Sequence, residues 1–138
     1  MNESWLGLEG KTVIVTGGAS GIGKAVAQEF LNVGCNVVVS DMAPEAPEFD
    51  TAAGRFHYVK TDVTSAEDVD AMVKEVVDTF GTVDVLVNNA GINIPRLLVD
   101  PKEPKGQYEL DEAVWDKVCS VNLKGVFFCA QTVGSCIN

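Results

Sequence analysis

Thr12-Val13-Ile14-Val15-Thr16-Gly17-Gly18-Ala19-Ser20-Gly21-Ile22-Gly23 is the stretch on which the fold turns. Its first five residues are all β-branched, a composition that favours a short strand covered on both faces. Its remainder is rich in glycine, and helical periodicity begins at Ile22, so a tight turn joins strand to helix. Glycines in such a turn permit positive φ and let the backbone approach a ligand closely. The helix N-terminus beyond it offers free N–H groups and a partial positive charge, which suit a pyrophosphate. A glycine-rich turn alone is compatible with a plain connection, but its place between an apolar strand and a helix favours a nucleotide.

Outward from this turn the pattern alternates. Asn36–Ser40 and Val83–Val87 are further apolar strand runs, and His57–Lys60 is a weaker one. Runs that are apolar throughout, without strict alternation, predict a parallel sheet buried on both faces. Ile22 to Val33 predicts a helix whose inner face is Ile22, Val26, Phe30 and Val33, ended by Gly34. Thr64 to Phe80 predicts another. It opens on Thr64-Ser65-Ala66-Glu67, read as a capping box, carries the stripe Val69, Met72, Val73, Val76 and Phe80, and closes at Gly81. From Asp111 onward the chain is apolar almost all round, as expected of a helix covered by the sheet on one side and by another subunit on the other. The order β-α-β-β-α-β-α predicts an α/β, Rossmann-like, doubly wound parallel sheet of about four strands. Pro44–Gly54 reads as a loop where a crossover helix is expected. Residues 92–110, with Pro95, Pro101, Pro104 and Gly106, read as an extended surface loop.

Residues 1–138 are expected to form one domain. The chain is 46% hydrophobic and 22% charged, with a formal net charge of −10. Its ten basic residues are scattered, which argues against nucleic acid and anionic membrane as partners. Met1-Asn2-Glu3-Ser4-Trp5 has neither the basic nor the apolar region of a secretory signal, and no apolar run approaches the length of a membrane span. Cys35, Cys119, Cys129 and Cys136 form no Cys-x-x-Cys, and His57 is the sole histidine, so free thiols in the cytoplasm are expected and no metal site.

Thr16-Gly-x-x-x-Gly-Ile-Gly resembles the phosphate loop of the short-chain dehydrogenase/reductase family, and four further motifs agree in order. They are Asp41 after the second strand, Asp62-Val63 after the third, Asn88-Asn89-Ala90-Gly91 after the fourth, and Asn122 within Val121-Asn122-Leu123-Lys124-Gly125. The likeness runs from about Leu8 to Gln131. It implies a nicotinamide cofactor held by Gly17, Ser20, Gly21, Ile22, Gly23, Asp41, Asp62, Val63, Asn89, Ala90 and Gly91. It also implies a proton-relay role for Asn122, as holder of a water beside the catalytic lysine. Asp41 has a physical reading of its own. Its carboxylate can accept hydrogen bonds from the adenosine ribose and would repel a 2′-phosphate, and Met42 and Ala43 supply no arginine, so NAD(H) is favoured over NADP(H). Asp62 reads equally as a helix-entry residue, and Asn122 as a structural asparagine.

The resemblance also implies a catalytic serine, tyrosine and lysine. Tyr58 is followed four residues on by Asp62 and Tyr108 by Glu112, so neither forms Tyr-x-x-x-Lys, and Ser135 lies in a helix tail. The chain is therefore expected to be a piece truncated after the Asn122 helix, unable to turn over substrate alone. The competing expectation is a short, non-catalytic nucleotide-binding module. For the full enzyme the expected substrate is a small molecule, a sugar alcohol or ketose, and the expected assembly a dimer or tetramer. The 92–110 loop resembles that of bacterial sorbitol-6-phosphate dehydrogenases within the family, and its Arg96, Lys102 and Lys105 could read a phosphate ester. A solvated loop is the alternative for those cations, and a 3-oxoacyl-carrier-protein reductase is the rival enzyme, disfavoured by Asp41.

Overall fold

A computed structural model describes residues 4–137. Four strands form one parallel sheet in the order β3-β2-β1-β4: β1 Thr12–Thr16, β2 Asn36–Asp41, β3 Arg55–Lys60 and β4 Val85–Val87. All of β1 is buried. It pairs with β2 from Thr12 opposite Asn36 to Thr16 opposite Ser40, and with β4 from Val13 opposite Val85 to Val15 opposite Val87. The sheet is wound on both faces. Val13, Val15, Val37 and Val39 pack against Ala27 and Leu31 of α1 (Gly21–Asn32). Ile14 and Val38 on the opposite face pack against Met72, Val73 and Val76 of α2 (Ala66–Phe80) and Val133 of α4 (Gly125–Gly134). Each such aliphatic side chain contributes roughly 1.5–3 kcal/mol by leaving water, so these two layers hold the sheet. The α/β, doubly wound architecture expected from the sequence is the one observed.

Several local expectations are corrected. The inner face of α1 is Gly23, Ala27 and Leu31, because the helix lies so close to the sheet that small residues must face it. Of the expected stripe, Ile22 is 79% exposed, while Val26, Phe30 and Val33 are only half-buried and border a groove with Trp5, Leu6 and Leu8. The cap of α2 is Ser65, whose hydroxyl accepts from the Asp68 amide at 3.2 Å; Thr64 instead donates its hydroxyl to Asp62 at 2.7 Å. β4 begins two residues later than expected. Asp84 docks on the first residue of β1 with its carboxylate accepting from the Thr12 amide at 2.8 Å, while its own amide donates to the Thr12 carbonyl at 2.9 Å. β3 is longer than expected by two residues.

The last helical segment is α3 (Glu112–Cys119), a π-helical turn at Ser120–Lys124, and α4. Gly125, Cys129 and Val133 are its buried line, whereas Trp115, Leu123 and Phe127 stand more than half exposed, so within this chain the segment is covered on one side. The expected loop at Pro44–Gly54 contains no helix, and the 92–110 excursion holds a single isolated bridge, Leu97 with Glu109. All four cysteines are free, and burial pushes the Cys129 thiol up to about 11, which keeps it a neutral packing group. Among the described residues no three His, Cys, Asp or Glu side chains are grouped to hold a metal, and no helix is long and apolar enough to cross a membrane.

The ends of β1 and β4 are tied through Thr16. Its buried hydroxyl accepts from the amides of Asn89 at 3.1 Å and Ala90 at 3.0 Å, and reaches the Val87 carbonyl at 3.4 Å. Thr16→Val keeps the shape and leaves the Ala90 N–H without its acceptor. It should lower stability by about 1–3 kcal/mol in a denaturant titration; an unchanged midpoint would show that the tie is incidental.

Candidate functional site

The carboxyl ends of β1, β2 and β3 open into a cleft of about 560 Å³, within the range that small-molecule and cofactor sites occupy. It lies on the seam of β1 and β4, where the strand order reverses, the place where open α/β sheets bind ligands. All eleven cofactor-binding residues expected from the sequence line it: Gly17, Ser20, Gly21, Ile22, Gly23, Asp41, Asp62, Val63, Asn89, Ala90 and Gly91. They come from four separate segments, and the sheet brings them together.

The wall formed by the glycine-rich turn is set by close packing. The Asn89 side-chain amide donates to the carbonyls of Thr16 and Gly17, both at 3.1 Å. A Cβ at Gly23 would collide with that same Asn89 amide and sit 2.5 Å from the Gly17 carbonyl. Gly17 itself has φ +67, and a Cβ there would lie 2.8 Å from the Ala90 Cα. Both glycines are thus required by the tie to β4. The helix behind the turn is left open. Ser20 is its N-cap but makes no side-chain capping bond, and the first turn holds no acid. By contrast α2 and α3 are capped by Ser65 and Asp111. An uncapped N-terminus with its partial positive charge faces the cleft, so the residues present fit an anionic pyrophosphate.

At the far end of β2, Asp41 is held by two backbone amides: Oδ2 accepts from Ala19 at 3.0 Å and Oδ1 from Ala43 at 3.1 Å. This locks the carboxylate at the rim. Asp62 combines both of its expected placements. It lines the cleft, and its Oδ1 accepts from the amide and hydroxyl of Thr64 at the entry to α2.

Asn122 lies in the π-helical turn, is exposed, and does not line the cleft. Its side-chain amide pairs fully with the backbone of Ile92, accepting from N at 2.8 Å and donating to O at 2.9 Å. An asparagine amid apolar neighbours costs stability where it is buried unpaired. The structure shows an exposed group that pins the segment after β4.

Arg96, Lys102 and Lys105 are all exposed on the excursion, and none lines the cleft. Arg96 donates to the Pro95 carbonyl at 2.8 Å, and Lys105 has φ +58 in a turn where the Gly106 amide bonds to Glu103.

The cleft also uses residues that motif reading did not single out as site residues: Ser40, Met42, Thr61, Ile92 and Val121. Their positions, each adjacent to a motif residue or on the Asn122 helix, are the one signal that could have found them. Ser40 is the most pointed, since its buried hydroxyl has no hydrogen-bond partner. A second groove, of about 580 Å³, lies on the outer side of α1. Its lining is apolar apart from Glu29, and it shares no residue with the cleft.

Comparison with known proteins agrees with this geometry. The short chain dehydrogenase family model matches residues 11–137. Sorbitol-6-phosphate 2-dehydrogenase of Klebsiella pneumoniae is 43% identical over 131 residues, covering 95% of this chain and 48% of that protein. 3β-Hydroxysteroid dehydrogenase 2 of Eggerthella lenta is 39% identical over 126 residues, covering 88% and 45%. A short chain dehydrogenase structure from Mycobacterium smegmatis superposes with a TM-score of 0.78 at 33% identity, over 91% of this chain and 51% of that one. The chain spans about half the length of the curated relatives it matches. On fold, cleft and sequence together, this chain belongs to the short-chain dehydrogenase/reductase family.

Proposed function

We propose that the chain is the cofactor-binding part of an NAD(H)-dependent oxidoreductase that moves hydride between nicotinamide and a sugar alcohol or ketose, with sorbitol 6-phosphate as the favoured substrate. The observation that carries the cofactor choice is Asp41, whose carboxylate is held at the cleft rim by the amides of Ala19 and Ala43. There it can accept from the ribose 2′- and 3′-hydroxyls, and a 2′-phosphate would meet its charge. The cofactor, when bound, supplies the hydride acceptor or donor. Gly17 and the uncapped start of α1 hold the pyrophosphate. Asp62 and Val63 border the adenine side. Ala90, Gly91 and Ile92, pinned by Asn122, form the wall toward the nicotinamide side, and Asn122 is the relay residue of this chain.

The substrate assignment rests on the likeness to the Klebsiella pneumoniae sorbitol-6-phosphate enzyme and on the loop cations Arg96, Lys102 and Lys105. A 3-oxoacyl-carrier-protein reductase is disfavoured by Asp41, and a non-catalytic nucleotide-binding module has only the absence of Tyr-x-x-x-Lys from these residues in its favour. We place the enzyme in the cytoplasm, where four free thiols persist. The exposed line Trp115, Leu123 and Phe127 suits a contact with a second copy in a dimer or tetramer.

Two outcomes follow. NADH should bind the chain at least tenfold more tightly than NADPH, and Asp41→Ala should weaken NADH by roughly tenfold, the scale of a hydrogen bond to a charged group. Equal affinities for the unmutated chain, measured by fluorescence titration, would remove the NAD assignment. In an enzyme extended to include a catalytic Tyr-x-x-x-Lys, replacing Arg96, Lys102 or Lys105 singly by alanine should raise KM for sorbitol 6-phosphate in at least one variant while leaving KM for sorbitol unchanged. An unaltered KM for the phosphate ester in all three would make the 92–110 loop a solvated surface.

A further inference from the structure

We propose that Tyr58, which does not line the cleft, is the positioning residue that sets the ribose-reading geometry of Asp41. This inference rests on the cofactor assignment above and deepens it. The connection from β2 to β3 lacks a crossover helix, so the turn that follows Asp41 must be held by individual contacts. Tyr58 stands on β3 opposite Val39 of β2, packed against the cluster under α1, and its hydroxyl extends to the end of β2. There it donates to the Ala43 carbonyl and lies 3.2 Å from the Asp41 carbonyl. Ala43 is therefore held at both ends: its carbonyl by the Tyr58 hydroxyl, and its amide by Oδ1 of Asp41 at 3.1 Å.

A chain of contacts results. Tyr58 places Ala43, Ala43 fixes one oxygen of Asp41, and Ala19 of the phosphate turn fixes the other. One tyrosine on the neighbouring strand thereby couples the carboxylate rotamer to the body of the sheet. Burial and the nearby Asp41 carboxylate push the Tyr58 hydroxyl above its ordinary pKa, so the group stays protonated and remains a donor through the neutral range.

The test uses ADP-ribose and its 2′-phosphate, which isolate the adenosine half of the cofactor. Tyr58→Phe removes only the hydroxyl. It should raise Kd for ADP-ribose by about three- to tenfold, the net worth of one hydrogen bond, and leave the 2′-phosphate nearly unchanged, so that the preference between them narrows. In an Asp41→Ala background the same change should do nothing further, because the tyrosine acts through that carboxylate. Equal weakening of both ligands, or a full effect in the Asp41→Ala background, would overturn the proposal. Amide exchange in the unmutated chain decides independently if Tyr58→Phe does not fold: the Ala43 N–H should be protected, and exchange as fast as in an unstructured peptide would overturn the proposal. No preference in the unmutated chain would refute the NAD assignment itself. A preference that Tyr58→Phe leaves intact would refute only the role of Tyr58.

Discussion

The contact between Asn89 and the end of β1 is the constraint on which the site depends. Its side-chain amide bridges the carbonyls of Thr16 and Gly17, while the Thr16 hydroxyl returns to the amides of Asn89 and Ala90. This exchange closes the gap between two strands that are neighbours in the sheet but more than seventy residues apart in the chain. It forces the turn to approach so closely that side chains at 17 and 23 cannot be accommodated. It also fixes the start of the segment that Asn122 then pins at Ile92. The glycine-rich turn and the wall beyond β4 are thus two sides of one hydrogen-bonded joint.

Much of this was legible in the residues, for definite reasons. A strand of five β-branched residues followed by glycines has few alternatives, and the motif residues other than Asn122 fall in order because each sits at or just past the carboxyl end of a strand. The misreadings share a physical cause. Periodicity marks apolar residues, but α1 approaches the sheet through Gly23, Ala27 and Leu31, two of which carry little or no hydropathy signal. The Ile22 stripe therefore reads as the inner face although Ile22 is exposed at the cleft. The cap of α2 reads one residue early in the sequence because Thr64 and Ser65 have the same capping chemistry, and the Asp62 contact draws Thr64 away. Asn122 stands among apolar sequence neighbours, and the π-helical turn carries it to the surface, where its amide pairs with Ile92. Tyr58 could not be found by pattern at all, since its role depends on the reach of a hydroxyl between adjacent strands.

The division between cofactor and substrate follows from where the side chains stand. Relatives whose names specify a sugar phosphate and a steroid align to this same stretch at 43% and 39% identity, so likeness in this part separates substrates poorly. The residues that line the cleft are chiefly the glycine-rich turn and the segments at and after the ends of β2, β3 and β4, while the loop cations lie elsewhere on the surface. Asp41 stands at the rim with both carboxylate oxygens held by backbone amides, and the proposed choice between the two nicotinamide nucleotides rests on its charge.

The most direct measurement is a map of backbone amide shifts in the ¹⁵N-labelled chain as ADP-ribose is added. The account predicts saturable shifts concentrated at residues 17–23, 41–43, 62–63 and 89–92, with the outer side of α1 around Val26 and Val33 unmoved. Shifts centred on that outer groove, or none at the glycine-rich turn, would contradict it.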